Sequence, residues 1–210
     1  MTIKKFASTS MNENCYVLTS GGETVVIDPG EMSDALSYEL ENKNVKYILL
    51  THGHFDHIAA LPEIQKLTKA KVCIHALDAD KLKDKNLSLA VALGANEQTP
   101  IAADILFSDG DNFPFGDTKI TVMHTPGHSK GSCCFICDRH IFSGDTLFCL
   151  TYGRYDFYDG DIVELVNSLD RLMALDGDYI VHPGHNRDTT LDEERVQNRY
   201  VRLKKYIYDK

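Results

Sequence analysis

Apolar residues in the N-terminal third fall into short runs divided by turn chemistry. Asn14-Cys15-Tyr16-Val17-Leu18 and Thr24-Val25-Val26-Ile27-Asp28 flank Ser20-Gly21-Gly22, which predicts two strands joined by a tight turn. Asp28-Pro29-Gly30 ends the second, and Ser33 is placed to cap a helix carrying Leu36 and Leu40. Val45-Lys46-Tyr47-Ile48-Leu49-Leu50 reads as a buried strand, residues 58–67 as a helix and Val72-Cys73-Ile74 as the next strand. Over residues 76–104, Lys81, Leu82, Leu87, Leu89, Val91 and Leu93 suggest helical pieces, then a polar loop ending at Thr99-Pro100. Strands are predicted at 119–123, 132–137, 140–142 and 179–182, and helices at 162–172 and 191–206. Thr190 with Glu193 three residues later is a capping box for the closing helix. Strands and helices alternating in this way predict a layered α/β architecture. No linker rich in Gly, Pro or Ser interrupts it, so residues 1–210 read as one domain.

Charge narrows the function. The formal net charge is −9 and no Lys/Arg cluster stands against it, which argues against nucleic acid or an anionic membrane as partner. Lys81-Leu82-Lys83-Asp84-Lys85 reads as a solvated helix face. The N-terminus lacks the apolar core of a signal peptide and no stretch is long enough to span a bilayer, so a cytoplasmic protein is expected. Of the six cysteines, Cys134 and Cys137 have the spacing of a redox or zinc pair. In an extended strand, however, residues three apart point to opposite faces.

The chemistry concentrates in Thr51-His52-Gly53-His54-Phe55-Asp56-His57, directly after a predicted buried strand. Three imidazoles and a carboxylate so close together are donors for a first-row divalent metal, and the carboxyl end of a strand is where α/β proteins place such groups. Three more polar elements end strand-like runs: Thr125-Pro126-Gly127-His128, Gly144-Asp145 and Pro183-Gly184-His185. The glycine before each candidate lets the backbone turn sharply and approach an ion. Donors of this kind suit Zn²⁺, with Fe²⁺ or Mn²⁺ as alternatives, and no cysteine completes a closed structural zinc site. Metal-bound water has a pKa near 7 instead of 15.7, which is a route to hydrolysing an ester, thioester or amide.

H-x-H-x-D-H at His52–His57 followed by T-P-G-H, G-D and P-G-H resembles the metallo-β-lactamase-fold hydrolases over almost the whole chain. The resemblance implies a four-layer αβ/βα sandwich, two mixed β-sheets with helices on their outer faces, and two divalent metal ions at one edge. Carried over by position, His52, His54 and His128 hold one ion, Asp56, His57 and His185 the other, and Asp145 bridges them. Asp56 then has a catalytic role, contacting the bridging hydroxide and passing a proton to the leaving group. Asp28 is either an acceptor for a ligand imidazole or a turn residue before Pro29. Outside the ligand set, His75 reads as structural, His124 as a support for the ligand loop, His140 as a turn residue and His182 as a neighbour of the ligand.

Gly144-Asp145-Thr146-Leu147-Phe148 running on to Gly153-Arg154-Tyr155-Asp156 is similar to a stretch of the glyoxalase II-like hydrolases and the related persulfide dioxygenases. Tyr155 and Tyr158 depart from that pattern, and Arg154 with Asp156 is expected to form an ion pair. The first reading is a thioesterase for a small acyl-thiol substrate. The alternatives are a persulfide dioxygenase with one iron on His52, His128 and Asp145, or a lactonase or other metallo-hydrolase of the same fold. Glyoxalase II enzymes carry an added C-terminal helical domain that contacts glutathione. Here the sequence closes on one helix with Arg195, Arg199, Arg202, Lys204 and Lys205, read as a solvated face, so glutathione specificity is not carried over. Substrate contacts are expected from 76–104 and from 150–158.

Overall fold

The computed structural model describes residues 1–208. The first sheet is built in chain order from β1 (Thr2–Ala7), β2 (Asn14–Ser20), β3 (Glu23–Ile27), β4 (Asn44–Leu49), β5 (Lys71–His75) and β6 (Ile105–Phe107). Its first three strands pair antiparallel and the rest parallel. The second sheet contains β7 (Asn112–Phe115), β8 (Thr118–His124), β9 (Cys133–Cys137) and β10 (His140–Gly144). A small hairpin of β11 (Leu147–Phe148) and β12 (Thr151–Tyr152) follows, and β13 (Ile180–Pro183) and β14 (Thr189–Thr190) complete the second sheet beside β10. The β10–β13 pair is parallel and its neighbours are antiparallel, so this sheet is mixed too.

The two-residue repeat of the strands sorts their side chains into layers. On β2, Cys15 and Val17 enter a cluster with helices α1 (Asp34–Leu40), α2 (Phe55–Ile58) and α3 (Leu61–Thr68), through Leu36, Leu40, Ile58, Leu61 and Ile64. Tyr16 and Leu18 point the other way, into a cluster shared by both sheets. On β9, Phe135 joins that central cluster, while Cys134 faces a third one built on α4 (Ile162–Met173). Three apolar interfaces therefore separate four layers, helix–sheet–sheet–helix. Each fully buried aliphatic or aromatic side chain contributes roughly 1.5–3 kcal/mol by leaving water. Cys134 and Cys137 fall in different clusters, as the strand repeat requires, and all six cysteines are free.

Several elements differ from the sequence reading. The helix expected over 58–67 is two short helices, with Pro62 in the first turn of α3, where a missing N–H costs nothing. The closing helix is broken into α5 (Leu191–Gln197) and α6 (Tyr200–Tyr208). At the break Asn198 is buried, extended, and donates to the Thr151 carbonyl (2.8 Å), while its side-chain oxygen accepts from the Tyr200 N–H (2.9 Å). That side chain ties the C-terminal helices to the β11–β12 hairpin. Of the cations there, Arg195 is not solvated but reaches the carbonyls of Met173 and Gly177, closing the end of α4, while Arg199, Arg202, Lys204 and Lys205 are exposed, with Lys204 paired to Asp170. Strand β1, with Lys4 and Lys5 on an open edge, carries little apolar pattern and is missed from sequence. Among the described residues no helix is long and apolar enough to cross a membrane.

Candidate metal centre

All four polar elements emerge at one end of the sheets, where β4, β8, β10 and β13 stop. Hydrogen bonds across the sheets close this end. Cys133 donates its N–H to the Thr51 carbonyl (2.8 Å), and Tyr16 and Asn14 donate to the Pro183 carbonyl (2.7 and 2.9 Å). Gly144 turns in the left-handed region (φ 47°), and a Cβ there would collide with Thr51. At Gly184 a Cβ would stand 2.4 Å from Asp145 Oδ1, so only glycine lets the His185 loop come this close.

Seven side chains converge here. Among the described residues, His52, His54 and His128 form one group whose ligand atoms lie within 4.8 Å of one another, and Asp56, His57 and His185 form a second. His54 Nδ1 is 2.9 Å from His128 Nε2. Asp145 stands between the groups: its Oδ1 is 3.3 Å from His57 Nε2, and its Oδ2 is 3.6 Å from both His128 Nε2 and His185 Nε2. The rings are held from behind. His128 Nδ1–H donates to the Arg154 carbonyl (2.8 Å) and His185 Nδ1–H to the Asn12 carbonyl (3.0 Å), leaving both Nε2 atoms free to accept or ligate.

Asp28 resolves in favour of the supporting role. It adopts a left-handed conformation (φ 49°), accepts from the Thr51 N–H (2.7 Å) and hydroxyl (2.6 Å), and lies 3.1 Å from His57 Nδ1. Thr51 Oγ1 in turn lies 3.0 Å from His52 Nδ1, so one carboxylate orients rings of both groups.

The donors fit metal ions on energetic grounds. His52 Nε2, His54 Nε2, His57 Nε2 and Asp145 Oδ1 are buried without a hydrogen-bond partner. Each orphaned polar atom costs roughly 1–3 kcal/mol, so four together would consume much of the 5–15 kcal/mol by which a domain is stable. Cations that accept lone pairs from His52 Nε2, His57 Nε2 and Asp145 Oδ1 remove that cost for those three, whereas His54 turns its Nδ1 toward His128 Nε2 (2.9 Å). Protonation agrees. Burial and neighbouring rings hold His52 well below the ordinary imidazole range and His54 at about 3, and burial lowers His128, so all three favour the neutral form that a metal requires. Burial also acts against charge at Asp145 and His57, but their attraction outweighs it: the Asp145 carboxyl is pulled down and His57 pushed well up.

The remaining histidines lie outside the cluster. His182 Nδ1 is 2.8 Å from Asp188 and its Nε2 2.9 Å from His140, at the start of β10 rather than in a turn. His75 caps the 3₁₀ turn Ala76–Leu82 by accepting from the Leu77 N–H and stacks on His124. His124 donates to the Lys130 carbonyl (2.8 Å) and so braces the loop of His128. Arg154 and Asp156 form the expected ion pair.

Next to Asp56 and Asp145 a cavity of about 180 Å³ is walled by Leu89, Ala92 and Leu93 from segment 76–104 and by Phe157 and Arg154 opposite. Tyr152 and Tyr155 turn away into the core beside α4. One correction concerns Lys81, read as part of a solvated face. It is buried and bonded to Asp78 (2.7 Å) and Asp159 (2.6 Å), while Lys83, Asp84 and Lys85 are exposed. Glu13, also unread from sequence, is buried behind the site with both carboxyl oxygens unpartnered, and burial raises its pKa well above the ordinary range.

Residues 9–185 match the profile of the metallo-beta-lactamase superfamily. Hydroxyacylglutathione hydrolase GloC of Haemophilus influenzae is 29% identical over 212 residues, which cover 97% of this chain and all of GloC. The crystal structure of the BLEG-1 B3 metallo-beta-lactamase superposes with a TM-score of 0.89 at 32% identity, covering 95% of this chain and 99% of that one. A di-iron-bound crystal structure of TTHA1623 gives 0.84 at 33% identity, covering 94% and 99%. With two mixed sheets between helical layers and the His/Asp cluster at their common edge, the chain belongs to the metallo-beta-lactamase superfamily.

Proposed function

We propose that the protein is a dinuclear-metal thioesterase of the glyoxalase II type, acting on a small acyl-thiol. The observation that carries this reading is Asp145, whose two oxygens face His57 on one side and His128 and His185 on the other. His52, His54 and His128 would hold one ion and Asp56, His57 and His185 the other, with Asp145 shared. Zn²⁺ is assigned first, and iron or manganese suits the same nitrogen and oxygen donors. Such ions supply a hydroxide near neutral pH and polarise a carbonyl.

The chain's own residues do the rest. Asp56 faces the cavity and lies 3.2 Å from His185. Burial works against its charge, yet His57 and His185 lower its pKa, so it stands as a carboxylate able to take a proton and pass it on. A thiolate leaves with little help from an acid and an amine needs more, so this site favours a thioester. Leu89, Ala92, Leu93 and Phe157 offer an apolar wall to the acyl group. Asn12 and Asn186 line a second opening beside His185, suited to the polar thiol carrier. The likeness to GloC along its full length supports the same substrate class. Six free cysteines fit a reducing compartment, and we place the protein in the cytoplasm on that ground.

The test is anaerobic hydrolysis of S-D-lactoylglutathione by protein of known metal content. Turnover with about two metals per chain is expected. Absent turnover, about one iron per chain and oxygen uptake with a persulfide would replace the thioesterase by a persulfide dioxygenase.

A further inference from the structure

Behind the first triad lies a buried chain of charges that the proposed chemistry does not use. Asp78, in the turn after β5, is fully buried. Its Oδ2 accepts from the Gly53 N–H (2.8 Å) and the Ser129 hydroxyl (2.8 Å), and its Oδ1 from the Gly131 N–H (2.8 Å). Gly53 sits between His52 and His54, and Ser129 directly follows His128. One carboxylate thus grips both loops that carry the three imidazoles. The fit is tight: a Cβ on Gly131 would stand 2.6 Å from Asp78 Oδ1, and one on Gly53 2.7 Å from Lys81 Cβ.

The chain continues. Lys81 binds Asp78 and Asp159 together, and its ammonium lies 5.8 Å from the centre of the Tyr158 ring. Asp159 and Tyr158 belong to the loop that carries Arg154 and Phe157, one wall of the cavity. The Tyr158 hydroxyl donates to the Leu87 carbonyl (3.1 Å), beside Leu89 and Leu93 on the opposite wall. A buried ion pair is weak evidence for stability, since apolar packing of equal volume does as well. Such a chain linking ligand loops to cavity wall points to positioning.

Resting on the metal-centre reading above, we propose that Asp78 is the positioning residue of the first triad and that Lys81 and Asp159 extend its hold to the substrate wall. Ligand geometry and cavity width would then be set by one Asp–Lys–Asp chain, divided at Lys81. The experiment is zinc titration against a chromophoric chelator, run with S-D-lactoylglutathione kinetics and metal-free thermal unfolding. Asp78→Asn leaves one acceptor where two backbone donors converge, and zinc affinity of the first triad should fall about 10–100-fold. Ser129→Ala keeps the ion pairs intact, guards against a misfolded Asp78→Asn, and should weaken zinc about tenfold. Asp159 Oδ2 meets the His128 loop only through a long bond from the Lys130 N–H (3.4 Å), so Asp159→Asn should weaken zinc far less than Asp78→Asn and raise KM with kcat within about twofold.

Zinc held as tightly by Asp78→Asn and Ser129→Ala as by wild type would overturn the proposal, leaving Asp78 a purely structural residue. Zinc loss in Asp159→Asn equal to that in Asp78→Asn would overturn the division at Lys81. A wild-type protein that binds no zinc, iron or manganese would sink the metal-centre reading itself, and this inference with it.

Discussion

The two triads at the sheet edge share Asp145 yet differ in the charges around them and in how far their outer members are open to solvent. His52, His54 and His128 lie deep, at 1%, 3% and 3% exposure, and no carboxylate stands among them. Burial depresses all three, and neighbouring rings add to it at His52 and His54. Asp56 and His185 lie on an open ledge, with side chains 16% and 20% exposed, and His57 is buried behind them. There burial is outweighed by carboxylates, and both His57 and His185 are pushed up. The same imidazole is therefore surrounded by other rings in the cage and by carboxylates on the ledge.

Asp145→Asn attacks what the triads share, and the largest effect is expected there. A neutral amide bridges two cations poorly, so zinc stoichiometry should fall and activity should drop by more than the about 10–100-fold typical of a lost supporting partner. Two zinc ions retained by this variant would mean the triads do not depend on a common carboxylate. Next in size is the contrast within one loop. His185→Ala should remove a ledge donor and most activity, whereas His182→Ala, whose ring faces Asp188 and His140, should leave zinc content intact. The reverse order would move the ledge to the other histidine.

How legible these regions were follows from how their parts are spaced. That the cage and ledge side chains meet could be read because His52, His54, Asp56 and His57 fall in one short run and the others follow strand ends with a glycine before them. Asp28 was half legible, since a turn and a ligand support look alike until the fold sets it against Thr51 and His57. Asp78, Lys81 and Asp159 were not legible. Each is an ordinary charged residue in a turn, and only the fold makes them neighbours across 78 residues of chain. The layered α/β character was legible from strands alternating with helices, and the four layers only through the family resemblance. Edge strand β1 was not, because exposed residues carry no apolar pattern, and the break at Asn198 was hidden because it depends on carbonyls of a distant hairpin.

Asp28→Asn sharpens the comparison further. Its contact with the ledge, to His57, is direct, while the cage feels it only through Thr51. Zinc on the ledge should weaken about 10–100-fold and zinc in the cage by less. Competition titrations that resolve two binding steps would check this, and an equal loss at both would make Asp28 a general support of the edge.

The smallest effect is expected outside both triads, at Asp188. Burial raises its carboxyl, but bonds from His182 and Lys5 (each 2.8 Å) outweigh this and bring it to about 2. An unfolded Asp titrates near 3.9. Because the folded value is the lower one, the carboxylate stabilises the fold fully above about pH 4, and this is lost as the pH falls through about 2. Metal-free wild type and Asp188→Asn should therefore differ in melting temperature by a constant amount between about pH 5 and 7, with the gap closing between about pH 4 and 2. Asp188 is partly open to solvent, so the gap should be small. Its zinc affinity at pH 7 should match wild type, because the chain through His182 ends at His140 and Lys5 meets the His185 loop only at the Asn186 carbonyl (3.1 Å). A variant that melts as predicted but binds zinc weakly would show that the ledge extends through His182, and the boundary drawn between the two histidines would have to move.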